Sequence, residues 1–193
     1  MDFSVRSVNV SIPSVSKFKN CWLEIYTPMV NILDVEVRMN LTVPCIDIRT
    51  GVKNDQVKLE MAESFVQAIV DGFTPQQALP LLKSGTTRLQ FHISEIKRLS
   101  NDSTSRAIGR IIGREGKVKL AIENTFHISM IIKDDQIFLI GDNESLRQAK
   151  ESISRLVLGA HPGSILNKLK VVASKQRKGY FETVYLNDER KEI

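Results

Sequence analysis

Ser105-Arg106-Ala107-Ile108-Gly109-Arg110-Ile111-Ile112-Gly113-Arg114-Glu115-Gly116-Lys117-Val118-Lys119-Leu120-Ala121-Ile122 is the stretch whose reading decides the fold. The tetrad Gly113 to Gly116 interrupts two segments of helical apolar spacing, the first carrying Ile108, Ile111 and Ile112 and the second opening at about Lys117. Glycines at both ends of such a turn let a sugar-phosphate backbone approach without meeting a side chain. The unpaired amides and positive dipole end of the following helix face the same spot and favour an anion there. Arg106, Arg110, Arg114, Lys117 and Lys119 are spaced along the stretch. Cations that neutralise phosphates release counterions and supply affinity that does not depend on base sequence. At about 7% glycine a bare G-x-x-G arises by chance about once in ~200 residues, so the weight rests on its place between two helices.

The surroundings are β-rich. Ile128, Met130 and Ile132, then Ile137 and Leu139, alternate with period two after the tetrad, with Asp134-Asp135 between them as a hairpin turn. Leu146, Ala149, Ile153 and Leu156 then take up helical spacing, and Gly159 with Pro162 ends that helix. Shifting the chain by 87 residues lays Leu59, Ala62, Val66 and Ile69 on those four positions and Gly72 to Pro75 on Gly159 to Pro162. Val35, Val37 and Met39, then Ile46 and Ile48, supply the matching strand pair. Short strands open the halves at 8–12 and 89–93, and helical stretches follow at about 17–33 and 103–125. Each half therefore reads β-α-α-β-β-α. A short helix at about 75–83 joins them.

This order around a G-x-x-G loop resembles a type I KH domain, a module for RNA and single-stranded DNA whose loop clamps about four nucleotides. The fold expected is α+β, two tandem KH-like domains packed together: 1–86 without the tetrad, 87–160 with it, and a basic C-terminal extension at 161–193. By the resemblance, bases lie in an apolar groove lined by Ile108, Ile112, Ile128 and Met130, with Gly109 on the helix before the loop; the alternative for these four side chains is plain core. Glu115 is a departure, because its charge opposes phosphate unless it turns to solvent. The first half has no glycine in residues 1–50, and its alignment places Asn20-Cys21-Trp22-Leu23 opposite the tetrad. That unit is expected to present a protein-binding or packing surface, with Trp22 in the core or at an interface, the core being the favoured reading.

Charge divides the same way. The net charge is +5, but residues 1–86 carry 8 basic against 9 acidic side chains and residues 87–193 carry 19 against 13. His161 to Phe181 holds Lys168, Lys170, Lys175, Arg177 and Lys178 and no acid. A solvated helix face is one reading of that run; an extension of the RNA footprint, with Tyr180 or Phe181 stacking on a base, is the favoured one.

Several classes are excluded. The apolar runs fall far below the roughly 20 residues of a membrane helix, and Met1-Asp2-Phe3 begins no secretory signal. Two cysteines, Cys21 and Cys45, among His92, His127 and His161 form neither a disulfide framework nor a zinc pattern; this fits a reducing, intracellular compartment. A Walker loop needs a glycine where Ile111 stands and Ser or Thr where Val118 stands. The spacing G-x-x-x-G-x-x-G is not the dinucleotide fingerprint. His127 on a strand and the Asp pair on its turn make a poor catalytic set, so no enzyme, metal, cofactor or small-molecule substrate is expected.

The run Ser105 to Lys117 with Ala121-Ile122-Glu123-Asn124 is also similar to the partner-of-NOB family of eukaryotic pre-ribosomal proteins. Ile25 to Val30 with Val37 to Leu41, Ile46 to Thr50, Leu156 to Gly159 and Val171 to Ser174 agree with it, so the resemblance spans about residues 5–181. It implies a non-catalytic RNA-binding assembly factor of the small ribosomal subunit, placed on the 3′ end region of single-stranded pre-rRNA. The implied partners are the NOB PIN-domain endonuclease that cuts there and other pre-40S factors; the implied places are the nucleus, nucleolus and cytoplasm. The chain has almost no N-terminal extension, so a compact version is expected. The alternative is a protein scaffold in which both KH units contact proteins and RNA affinity is incidental.

Overall fold

A computed structural model of the protein describes residues 5–10, 12–40, 42–50 and 55–188; the side chains of 12–14 and 176–188 lie outside that description. So do Ser11 of the expected opening strand, Leu41 of the quoted motif and residues 189–193 of the expected extension. The chain divides into two compact units, Met1–Gln90 with Phe138–Asn143, and Phe91–Ile137 with Glu144–Ile193.

The first half runs β1 (Val5–Asn9), α1 (Ile12–Asn20), α2 (Trp22–Leu33), β2 (Val35–Asn40), β3 (Cys45–Thr50), α3 (Gln56–Asp71) and α4 (Pro75–Ala78), followed by a 3₁₀ turn at Leu79–Leu82. Its sheet is antiparallel in the order β1-β3-β2, with Val5 opposite Arg49 and Val37 opposite Ile48. The opening strand lies three residues earlier than its expected place at 8–12. Pairing from Val5 to Asn9, prolonged by the Val10 amide donating to the Pro44 carbonyl at 2.9 Å, uses up the strand before α1 starts at Ile12.

Local chemistry sets the ends of α3. The Asp55 carboxylate accepts from the amides of Val57 and Lys58 at 3.1 and 3.3 Å, which satisfies donors that the first turn leaves orphaned. At the other end Gly72 takes φ +121°, and its amide donates to the carbonyls of Ala68 and Ile69, the glycine stop expected from the repeat. Leu59, Ala62, Val66 and Ile69 are all buried, as are Leu146, Ala149, Ile153 and Leu156. Burying a Leu, Ile or Val side chain is worth about 1.5–3 kcal/mol, so the two repeated stripes anchor the cores. Arg88 Nε lies 2.8 Å from Asp71 Oδ2, with both side chains largely buried.

The second half runs β4 (Thr86–His92), α5 (Ile93–Ile96), α6 (Asn101–Ile112), a 3₁₀ turn at Arg114–Gly116, α7 (Lys117–Phe126), β5 (Ser129–Lys133), β6 (Gln136–Asp142), α8 (Asn143–Val157) and α9 (Pro162–Asp188). Its sheet order β4-β6-β5 repeats the first sheet's order, again with the second strand at an edge. Asp134, at φ +53°, makes the hairpin turn. The expected basic extension is a helix, α9, which packs on α7 and buries Ile165 and Leu169. Apolar positions four apart give it a contact stripe, and the lysines fall outside that stripe.

Candidate nucleic-acid interface

The turn between α6 and α7 is built by its backbone. Gly113 has φ +72° and ψ 174°, Glu115 φ +56° and ψ 26°, and Gly116 φ +73° and ψ 8°. Gly113 occupies a region that is essentially closed to residues with a Cβ. Gly116 takes the left-handed conformation immediately before α7, where no side chain caps the first amides. These amides and the dipole end are therefore available to an anion on the tetrad. A Cβ at Gly109 or Gly116 would meet nothing within 4 Å, so both glycines leave open space at the surface.

The cations surround this turn unevenly. Arg106 and Arg114 are exposed, and Arg106 Nε donates to the Asp102 carbonyl at 3.2 Å. Arg110 is half-buried, and its Nε is a buried donor without a hydrogen-bond partner among the described residues. Lys117 Nζ sits 2.8 Å from Glu115 Oε2, an ion pair whose side chains are 66% and 71% exposed. Glu115 thus spends its charge on Lys117. At such exposure a pair is worth at most about 1 kcal/mol, so a phosphate can displace it.

Lys119 Nζ is 3.9 Å from Glu123 Oε1, and that same carboxylate accepts from the Met130 amide at 2.8 Å. Met130 belongs to edge strand β5, so Glu123 covers one of the strand's outward backbone donors. Nothing in the sequence singled out this role; the Lys119-Glu123 spacing of four was the available signal. Leu120, 53% exposed on α7, also went unnoticed.

The four apolar candidates separate. Ile112 is 37% exposed and Ile108 half-buried on α6, whereas Ile128 and Met130, at 6% and 1%, lie in the core rather than on an open groove wall. The reason is local. The Ile128 amide closes the end of α7 by donating to the Glu123 carbonyl at 3.1 Å, and α7 packs on β5, where Met130 sits. Among the tail residues Lys168, Lys170 and Lys175 are exposed on α9. Arg177, Lys178, Tyr180 and Phe181 continue that helix, with side chains outside the described set.

The first half differs where the tetrad would stand. Cys21 alone separates α1 from α2, with φ −108° and ψ 19°, and burial pushes its thiol above the ordinary range. Trp22 is a correction to the favoured core reading, though not to the interface one: it is only half-buried and stacks on Tyr26, with centroids 6.2 Å apart. His127 is not on a strand either; it is the exposed left-handed cap of α7, at φ +51°. Among the described residues no group of His, Cys, Asp and Glu is placed to hold a metal ion, and no helix is long and apolar enough to cross a membrane.

Residues 90–174 match a family model for the eukaryotic type KH domain, KH-domain type I. The pre-rRNA-processing protein PNO1 of Debaryomyces hansenii is 36% identical over 185 residues, covering 93% of this chain and 72% of that protein. Two archaeal structures share the fold: a protein of unknown function from Aeropyrum pernix, with a TM-score of 0.78 at 19% identity over 97% of this chain and 100% of its own, and a chain of the a/eIF2alpha-aDim2p-rRNA complex from Pyrococcus horikoshii OT3, with a TM-score of 0.74 at 21% identity over 90% and 96%. Identity of 36% over 93% of this chain and 72% of the relative, with a KH match over the glycine turn, means that the chain belongs to the PNO1/Dim2 family of KH-domain pre-rRNA-processing proteins.

Proposed function

We propose that this protein is a non-catalytic RNA-binding assembly factor of the small ribosomal subunit, holding single-stranded pre-rRNA from the 3′ end region on its second KH unit. The observation that carries the reading is the turn Gly113 to Gly116, with positive φ at three of its four residues and uncapped α7 amides behind it. Exposed Arg106, Arg114, Lys117, Lys168, Lys170 and Lys175 supply the phosphate contacts. The printed description of the fungal relative, a pre-rRNA-processing protein, and the rRNA in the archaeal complex support the substrate class. A NOB-type endonuclease and other pre-40S factors are the partners, on pre-ribosomes of the nucleolus, nucleus and cytoplasm. The archaeal complex, which also holds a/eIF2alpha, supports protein contacts beside RNA contacts.

Arg114→Asp combined with Glu115→Asp tests the loop. Tight binding to a single-stranded oligonucleotide of the 3′ pre-rRNA is expected to be lost while the far-ultraviolet spectrum stays unchanged; undiminished affinity removes the loop from the mechanism. The scaffold reading draws on the exposed Leu23, which with Thr27, Pro28 and Leu79 lines an apolar groove of about 410 Å³ on the first unit. Salt titration separates the two, because several phosphate contacts require a steep fall of affinity with salt. A flat response favours the scaffold.

A further inference from the structure

The first unit lacks the tetrad, yet its helix pair and edge strand β2 still frame an open groove of about 400 Å³, lined by Lys19, Trp22, Tyr26, Val37, Arg38 and Met39. The groove carries an aromatic pair. Trp22 and Tyr26, one helical turn apart on α2, stack with 30° between their planes, and Tyr26 remains 38% exposed. Partly exposed rings on a groove offer a stacking surface that the protein's own core leaves uncovered.

Lys19 and Arg38 add charge to that surface, and both are exposed. Of the four arginines in this unit, Arg6 pairs with Glu60 and Glu63, Arg49 with Glu36, and Arg88 with Asp71. Arg38 has no ion-pair partner among the described residues, and no acid lines the groove. Asp47 stands opposite Arg38 in the β2–β3 register, on the side of a neighbouring pocket; the unit as a whole is slightly acidic, so a groove lined by two cations, an aromatic pair and no acid is a local departure from its charge balance.

A flat unsaturated ring flanked by negative charge is the chemistry this combination accepts. An acidic peptide would also satisfy the cations, but an apolar anchor on a peptide gains most in a deep, fully desolvated pocket, and this groove is open. Base stacking needs only an accessible ring face and nearby cations for the phosphates. The single-residue turn at Cys21 offers no backbone cradle, so side chains must make the contact.

We infer that the first unit holds an unstacked nucleotide of single-stranded RNA on the Trp22–Tyr26 surface, with flanking phosphates at Lys19 and Arg38. This is a second RNA contact, separate from the glycine turn and tolerant of base sequence.

Trp22 is the chain's single tryptophan, so its fluorescence reports on this groove. The full chain carrying Arg114→Asp and Glu115→Asp is titrated with a short oligouridylate, with heparin as a polyanion that has no bases, and with an acidic peptide containing phenylalanine. Saturable quenching by the oligonucleotide alone is expected, and Arg38→Glu should weaken it about tenfold, a loss typical of a charged contact to phosphate. Arg38→Gln, a milder change at the same exposed position, should weaken it less, and circular dichroism checks that both variants fold. Absence of quenching by RNA, equal quenching by heparin, quenching unaffected by Arg38→Glu, or a response to the peptide without one to RNA overturns the inference. RNA binding lost with the loop and no Trp22 response overturns it while leaving the proposed function intact.

Discussion

A Cβ at position 113 would lie 2.4 Å from Val118 Cγ2, so the glycine that opens the tetrad and the second residue of α7 fit together only when position 113 has no side chain. Val118 is buried, so it cannot give way into solvent. Gly113 therefore has a packing role besides any role toward phosphate. Gly116 differs, because nothing lies within 4 Å of its imagined Cβ and only its φ of +73° resists substitution.

Gly113→Ala should accordingly destabilise by about 3 kcal/mol, from a glycine-only backbone region and a core clash together. Gly116→Ala should cost only about 1 kcal/mol, the left-handed penalty alone. Urea unfolding of the two variants checks the difference. Equal losses would mean that the Val118 contact does not govern the turn.

Glu115 stands at φ +56° and pairs with Lys117 in solvent. Glu115→Asn removes a charge from the turn and places there a residue that tolerates left-handed backbone. Stability should hold or rise slightly, since an exposed pair contributes little. RNA affinity should increase, and the slope of log affinity against log salt should steepen by about one phosphate contact as Lys117 is freed. Fluorescence anisotropy across a salt series measures both.

Ile112 and Met130 should respond in opposite ways to truncation. Ile112, 37% exposed, should change stability by under about 0.5 kcal/mol as Ile112→Ala while lowering RNA affinity. Met130 is 1% exposed, and Met130→Ala should cost about 2–5 kcal/mol. Thermal melts beside binding titrations separate a surface contact from a core contact.

Hydrogen bonds from Arg147, then Gln148, hold the Glu144 carboxyl at about 2, below its ordinary value of 4.5. A carboxylate depressed by folding stabilises the native state fully above its unfolded value and loses that contribution as pH falls through the folded one. Its share of stability should therefore be complete above pH 4.5 and decline toward about pH 2. Arg147→Ala should move the midpoint of the Glu144 carboxyl resonance upward, as an NMR titration would read.

Periodicity carried the elements a long way. The stripe Leu59, Ala62, Val66 and Ile69 and its repeat at Leu146, Ala149, Ile153 and Leu156 are buried as their spacing required, because a helix with one apolar stripe has one face it can bury. Strand limits were less legible: β1 begins at Val5, since its extent depends on pairing with Cys45 to Arg49, far along the chain. Likewise α9 reads as a basic tail until α7 is there to cover Ile165 and Leu169.

For the site, sequence by itself determined the glycine turn, the cations around it, the charge contrast between the halves and the lack of a tetrad in the first, because these depend on residue type and short spacing. Tertiary structure alone decided which apolar side chains remain at the surface. Alternation cannot tell which face of β5 a helix will cover, so Met130 went to the core, while Trp22, expected there, stayed half-exposed against Tyr26. Ion pairing was settled in the same way. Glu115 turned onto Lys117, Glu123 reached the Met130 amide, and Arg38 was left without an ion pair among the described residues while Arg6, Arg49 and Arg88 each found one, since such partners are chosen by proximity in the folded chain.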